Sequence, residues 1–272
     1  MILQVQGAPT YCYTGGKPFD AAKPTVVFIH GVLNDHSVWI LQSRYLAHHG
    51  FNVLAVDLPG HCRSAGEAPA SVEQAADFIA ALLDAAGVQR AALVGHSWGS
   101  LIALEAAARL GERVTQLVLV GTAFPMKVSQ ALLDASQNDP EAALRMVNLF
   151  SRSTLAAPPS ALGPGTWVYG ASLALGRRVL RSNRDANVFH RGFLACDRYG
   201  NGEAAIAQIT CPVLFVLGAQ DQMTPPKAAQ GLIAKARAAG KTVQVVLPPV
   251  GHHQMTETPD DTLFAIRDFL SR

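Results

Sequence analysis

Short runs of branched apolar residues recur along the chain: Val26-Val27-Phe28-Ile29, Val53-Leu54-Ala55-Val56, Ala92-Leu93-Val94, Leu117-Val118-Leu119-Val120, Val213-Leu214-Phe215-Val216-Leu217 and Val243 to Leu247. Runs this short, with no polar alternation, suit strands buried on both faces, as in parallel sheets. Alanine-rich stretches of helical length, such as Ser71 to Ala86 and Trp98 to Leu110, lie between most of them. Strand followed by helix, repeated, implies an α/β protein with a mostly parallel, doubly wound sheet covered by helices. A core of that kind needs apolar material, and 49% of the 272 residues are hydrophobic against 15% charged, with Gly and Pro spread rather than blocked.

One interval breaks the rhythm. From Thr122 to about Gln208 no strand pattern stands out, while Ser129 to Gln137, Pro140 to Arg152 and Ala186 to Tyr199 have helical character around a Pro- and Gly-rich break at Ala157 to Gly165. The expected organisation is a sheet core of residues 1–121 and 209–272, with a helical insertion, 122–208, between two core strands.

Other features narrow the function classes. The net charge is +2, and Lys and Arg form no run longer than Arg177-Arg178, so no nucleic-acid face is expected. Cys12, Cys62, Cys196 and Cys211 lie far apart with no Cys-x-x-Cys pair, which indicates neither a zinc site nor a disulfide framework. The first residues lack a basic region followed by an apolar stretch, and no apolar segment is long enough to span a bilayer. The expectation is a cytoplasmic monomer or homodimer acting on a small-molecule substrate, with no metal, cofactor, nucleic acid or membrane partner.

Three strand ends carry candidate chemistry. Gly95-His96-Ser97-Trp98-Gly99 follows the run Ala92 to Val94 and opens the helix at Trp98. A serine on so sharp a strand-to-helix turn is strained and exposed, and glycines two residues to either side let strand and helix approach. Ala103, Ala106, Ala107 and Ala108 let that helix pack close to the sheet. An ordinary tight turn would use the same glycines, yet the flanking elements favour Ser97 as a nucleophile. His30-Gly31-Val32 ends the run Val26 to Ile29, and the backbone N–H groups of Val32 and Trp98 are candidate donors to a developing oxyanion. His30 itself suits a structural role.

A nucleophilic serine needs a base and the base an orienting acid, in the order Ser, acid, His for such a sheet. Asp221, in Gly218-Ala219-Gln220-Asp221, lies past Val213 to Leu217; it would also serve as a turn residue or a helix cap. The loop after Leu117 to Val120 reads Gly121-Thr122-Ala123 and offers no carboxylate. His252 follows Val243 to Leu247 through Pro248-Pro249-Val250-Gly251, and His253 is its rival. Gly251 supplies the turn immediately before His252, which favours it as the base.

These motifs together, with Trp39 downstream of His30-Gly31, the stretch Asp57-Leu58-Pro59-Gly60-His61-Cys62-Arg63-Ser64, and Glu257 and Pro259 after Gly251-His252, resemble the α/β-hydrolase superfamily in its capped, esterase-like branch. The resemblance covers about Val26 to Gly121 and Cys211 to Leu270. It implies the α/β-hydrolase fold and identifies the helical interval as a cap that lies over the nucleophile and sets the substrate. Where relatives usually carry a third glycine, this chain has Cys62, a small thiol expected to be inert. Relatives that open epoxides or displace halide use an aspartate where Ser97 stands. Trp98-Gly99-Ser100 is similar to proline-iminopeptidase-like enzymes, but His30-Gly31-Val32-Leu33-Asn34 departs from their His-Gly-Gly-Pro-Gly, which demotes aminopeptidase activity.

The leading expectation is hydrolysis of a carboxylic ester or thioester of a small apolar substrate through an acyl-enzyme. Carbon–carbon bond hydrolysis, acyl transfer, aminopeptidase activity or ligand binding by a retained triad remain open alternatives. Leu33, Met126, Trp167 and Tyr169 are candidate substrate contacts, with Phe189 and Phe193 beside them, although aromatics in small helices also serve as core.

Overall fold

The computed structural model describes residues 1–20, 22–153, 168–183 and 185–272. Its sheet has eight strands: β1 (Ile2–Val5), β2 (Ala8–Tyr13), β3 (Thr25–Ile29), β4 (Asn52–Val56), β5 (Ala91–His96), β6 (Val114–Val120), β7 (Val213–Val216) and β8 (Val243–Val246). They lie in the order β1-β2-β4-β3-β5-β6-β7-β8, and every pairing from β4 through β8 is parallel. Strands β3, β4, β5 and β7 are buried along their whole length, as their unbroken apolar runs imply.

Both edges differ from the sequence expectation. Strands β1 and β2 form an antiparallel hairpin that was not expected, since their sequences mix polar with apolar residues. Its two-residue turn, Gln6-Gly7, has φ of 49° and 80°, the left-handed conformation that matches the twist of paired strands. Strand β8 was read as buried but lies at the opposite edge and is half-buried to exposed, because it has a neighbour on one side alone.

Helices cover both faces. Helices α1 (Ile40–His48), α2 (Val72–Ala85) and α3 (Trp98–Leu110) alternate with the early strands; α4 (Gln130–Asn138), α5 (Pro140–Ser151), α6 (Val168–Ser182), α7 (Val188–Arg198) and α8 (Gly202–Gln208) lie between β6 and β7; α9 (Gln230–Ala238), α10 (Gln254–Glu257) and α11 (Pro259–Leu270) complete the chain. One core layer packs Val27, Ile29, Leu93 and Phe215 against α2, α3, α8 and α9, and the other packs Phe28, Val94, Val118 and Leu214 against α1 and α11.

A third cluster, with Leu132, Leu144, Phe189 and Phe193, is built by the interval's own helices together with Leu33. Its helices start where capping residues stand: Ser129 Oγ accepts from Leu132 N, and Asp139 Oδ1 accepts from Ala142 N with Pro140 at the first turn. Helices α6 and α8 were not anticipated, and the expected break at Ala157 to Gly165 lies outside the described residues. Helix α8 packs with the sheet layer, against α3 and α9. Among the described residues no helix is long and apolar enough to cross a membrane.

Candidate active site

Ser97 stands between β5 and α3 with φ 54° and ψ −120°, a conformation that costs an L-residue about 1–3 kcal/mol. The surrounding glycines make it attainable. A Cβ on Gly95 would lie 2.0 Å from Gly99 O, and one on Gly99 would lie 2.4 Å from Ile29 O. Ser97 N donates to Val120 O at 2.9 Å, and Ser100 N donates to Ser97 O at 2.8 Å, so the turn is tied to the next strand and to its own helix. The side chain stands beside the positive end of α3.

Past β7, Asp221 is buried and Oδ1 accepts from Met223 N (2.8 Å) and Thr224 N (2.9 Å). This is the turn role the sequence also allowed. Oδ2 accepts from His252 Nδ1 at 2.8 Å and from Thr224 Oγ1 at 2.7 Å, while Thr224 Oγ1 lies 3.0 Å from the same imidazole nitrogen. Burial pushes the Asp221 carboxyl up, but His252 beside it and the donors from His252 and Thr224 outweigh burial and hold it below its ordinary range. With Nδ1 engaged by a carboxylate, Nε2 of His252 is the nitrogen left for other work.

The adjacent histidines serve different ends. His96 Nε2 donates to His252 O at 2.8 Å. Burial, with His252 next to it, lowers the His96 imidazole to about 3, so it stays neutral and acts as a backbone anchor. His253 is half-buried, and burial followed by the nearby Arg152 charge depresses its imidazole well below its usual value. The carboxylate of Asp221 is met by His252.

The loop after β3 closes on the same turn. A Cβ on Gly31 would lie 3.2 Å from Ser97 Cβ and 3.0 Å from His96 Nδ1, so the backbone leading to Val32 is pressed against the serine. Trp98 opens α3, where the first N–H groups have no intrahelical acceptor. His30 is fully buried; Nδ1 donates to Gly31 O at 2.8 Å and Nε2 accepts from Leu58 N at 3.1 Å, which clamps two loops together.

Two cavities meet at Ser97 and His252. The larger, about 220 Å³, has mainly apolar walls that include Met126, Leu132, Met146, Phe150, Phe193 and Met223. The smaller, about 50 Å³, has Asn34, His96, Asn148, Ser172 and His253 in its wall. Val32 belongs to both. Of the expected substrate contacts, Met126 lines the larger cavity and Leu33 the smaller. Tyr169 packs against the third core cluster, Phe189 is core, and Trp167 lies outside the described residues. Thr224, Met223, Phe150 and Leu132 were not expected. They come from three separate elements, the loop after β7 (Met223 and Thr224), α5 (Phe150) and α4 (Leu132), and in sequence nothing marks these elements as neighbours.

Asp35, His36 and Asp57 bring ligand-type atoms within 4.8 Å of one another. Asp35 Oδ2 already accepts from Arg178 (2.6 Å) and Cys62 Sγ (3.2 Å), and Asp57 accepts from His36 and from Arg63 N. A guanidinium inside such a cluster opposes a metal cation. Burial and the Asp35 charge push the Cys62 thiol up to about 12, which leaves it protonated and a poor nucleophile.

The parallel sheet, the strained serine turn and the buried His–Asp pair at its carboxyl edge define a hydrolase of the α/β class. The chain belongs to the α/β-hydrolase fold family, whose model matches residues 24–259. It is 28% identical over 261 residues to RutD of Pantoea ananatis, described as a carbamate hydrolase, covering 93% of this chain and 90% of that one. It is 38% identical over 97 residues to the dihydrolipoyllysine-residue acetyltransferase component of the acetoin cleaving system of Cupriavidus necator, covering 35% of this chain and 26% of that protein. The chain thus spans about a quarter of that relative's length. In fold it is similar to the enol-lactonase from Burkholderia xenovorans, with a TM-score of 0.80, 21% identity and full coverage of both chains.

Proposed function

We propose that the protein is a serine hydrolase that cleaves a carboxylic ester or thioester of a small apolar substrate through an acyl-enzyme. The observation that carries this reading is the 2.8 Å pair of His252 Nδ1 and Asp221 Oδ2 beside a cavity whose wall holds both His252 and Ser97. In it, Nε2 of His252 takes the proton of Ser97 Oγ as the oxygen attacks the acyl carbon. The imidazolium that forms is stabilised by the Asp221 carboxylate. The oxyanion is met by the N–H groups of Val32 and Trp98, whose neighbours Gly31 and Gly99 pack so closely on Ser97 and on the end of β3 that a Cβ at either would crowd them. His252 then returns the proton to the leaving group, and water repeats the sequence to release the acid.

The helices between β6 and β7 act as the cap that selects the substrate, since α4, α5 and α7 supply Leu132, Met146, Phe150 and Phe193 to the larger cavity. An apolar space of about 150 Å³ accepts a benzene ring, so about 220 Å³ suits an acyl group of roughly six to eight carbons. A panel of p-nitrophenyl esters, acyl-thioesters and one aryl carbamate, each graded in chain length, tests the reading. Turnover with a maximum of kcat/KM at medium chains supports it. Turnover confined to the carbamate would move the assignment toward the chemistry for which RutD is named.

A further inference from the structure

The loop that carries His252 is bonded to the helical interval as well as to the sheet. At the end of α5, Ser151 O accepts from His252 N at 2.7 Å. The two backbones are in close contact, for a Cβ on Gly251 would lie 2.5 Å from Ser151 O and 2.7 Å from Ser153 N. The remaining links converge on one side chain. Glu257, at the end of α10, is 2% exposed. Its Oε2 accepts from Ser153 N (3.0 Å), Ser153 Oγ (2.6 Å) and Gly251 N (3.3 Å), and its Oε1 accepts from His253 N at 3.4 Å.

A buried carboxylate is costly unless it is bonded on several sides and has a counter-charge nearby. Glu257 meets both conditions. Its donors come from the segment 151–153 and from the residues on either side of His252. The buried Arg152 guanidinium lies close enough to feel its charge and donates to Thr256 Oγ1 at 3.2 Å and to Ser172 Oγ of α6. An alkyl group of the same size would leave these N–H groups buried without acceptors, so packing alone does not explain a carboxylate here.

We propose that Glu257 is a positioning residue that fastens the end of α5 to the loop of His252, so that the imidazole is aimed at Ser97 only while the helical interval is seated on the sheet. This rests on the reading of Ser97 and His252 given above. It makes the placement of the base depend on a contact outside the catalytic side chains. An error of about 1 Å in such a placement costs on the order of 10²-fold in rate.

The test is steady-state hydrolysis of a p-nitrophenyl ester by Glu257→Gln, Ser153→Ala and the double variant, with labelling of Ser97 by a small fluorophosphonate in parallel. In Glu257→Gln the amide nitrogen meets donors instead of accepting from them. Its kcat is expected to fall ~10- to 100-fold while KM stays within about twofold, and the labelling rate should fall by the same factor. Ser153→Ala should lose about threefold in kcat and add nothing in the Glu257→Gln background, because both remove one linkage. A Glu257→Gln enzyme with wild-type kcat, a loss confined to KM, or single losses that multiply would overturn the proposal. Should Glu257→Gln fail to fold, Ser153→Ala decides alone: a kcat loss at constant KM supports the linkage, and unchanged kcat refutes it. Labelling keeps the two readings apart. A wild type that takes no label refutes the Ser97 assignment, whereas variants labelled at the wild-type rate refute the role of Glu257.

Discussion

Two histidine–aspartate pairs stand past the carboxyl ends of strands in this sheet, and both close at 2.8 Å: His36 Nδ1 with Asp57 Oδ1 beyond β4, and His252 Nδ1 with Asp221 Oδ2 beyond β7. Distance does not separate them; surroundings do. Asp57 also accepts from His36 N and Arg63 N, its carbonyl accepts from Ser64 Oγ, and the His36 ring rests against Tyr11 and Tyr13. That pair is spent on joining loops. The His252 ring instead shares a cavity wall with Ser97. A histidine–aspartate pair can serve catalysis when the far side of the imidazole faces a nucleophile and a space for substrate.

The largest expected effect breaks the catalytic side of the comparison outright. Ser97→Ala removes the nucleophile and relaxes nothing in the core, and turnover of the best ester should fall ~10⁶-fold with the melting temperature unchanged or raised. Ester turnover within tenfold of wild type would show that Ser97 is not the nucleophile.

Next comes Asp221→Asn, which keeps the size, loses the charge and lets an amide donate to the ring, favouring the wrong tautomer. A loss of ~10⁴ in kcat is expected. The same variant carries a pH signature. Because the Asp221 carboxyl is held below its ordinary value in the folded chain, it contributes stability that is complete above the unfolded value of about 3.9 and is lost as pH falls through the folded value. Acid unfolding curves should therefore show less pH dependence below about pH 4 in the variant than in the wild type.

Asp57→Asn sharpens the comparison from the other side. It disturbs a structural pair, so kcat should stay within a few-fold while stability falls by roughly 1–3 kcal/mol, read as a lower melting temperature. A large kcat loss without a melting shift would erase the distinction between the two pairs. Cys62→Gly should do least. It relieves a backbone held at φ 44° but gives up the thiol's bond to Asp35, and stability should move by less than about 1 kcal/mol with turnover unchanged.

The parts that were legible in sequence are those where one local rule governs. Strands β3 to β7 are enclosed on both faces or nearly so, and two-sided burial writes an unbroken apolar run. Strands β1 and β2 border one edge, where solvent admits polar residues and the run dissolves; β8, at the other edge, kept its run at Val243 to Leu247 but is not buried as that run implied. Ser97, Asp221 and His252 were legible because each follows a strand across a glycine-containing turn. Glu257 was visible as part of a motif with Gly251, but its partner Ser153 joins it only when α5 packs on the histidine loop. Thr224 and His96 were silent for the same reason. Thr224 bonds Gly121 O and the His252 ring, and His96 bonds the His252 carbonyl, across stretches of chain that only the sheet brings together. Helix α6 lacked a clear signal because Gly176 interrupts it and it carries a run of basic residues.

The most direct measurement of the central claim is the site of attack by a fluorophosphonate, mapped by peptide mass spectrometry in wild type, His252→Ala and His253→Ala. The account predicts one adduct on Ser97 in the wild type, its loss in His252→Ala and its retention in His253→Ala. An adduct on another serine, or labelling that survives in His252→Ala and disappears in His253→Ala, would contradict it.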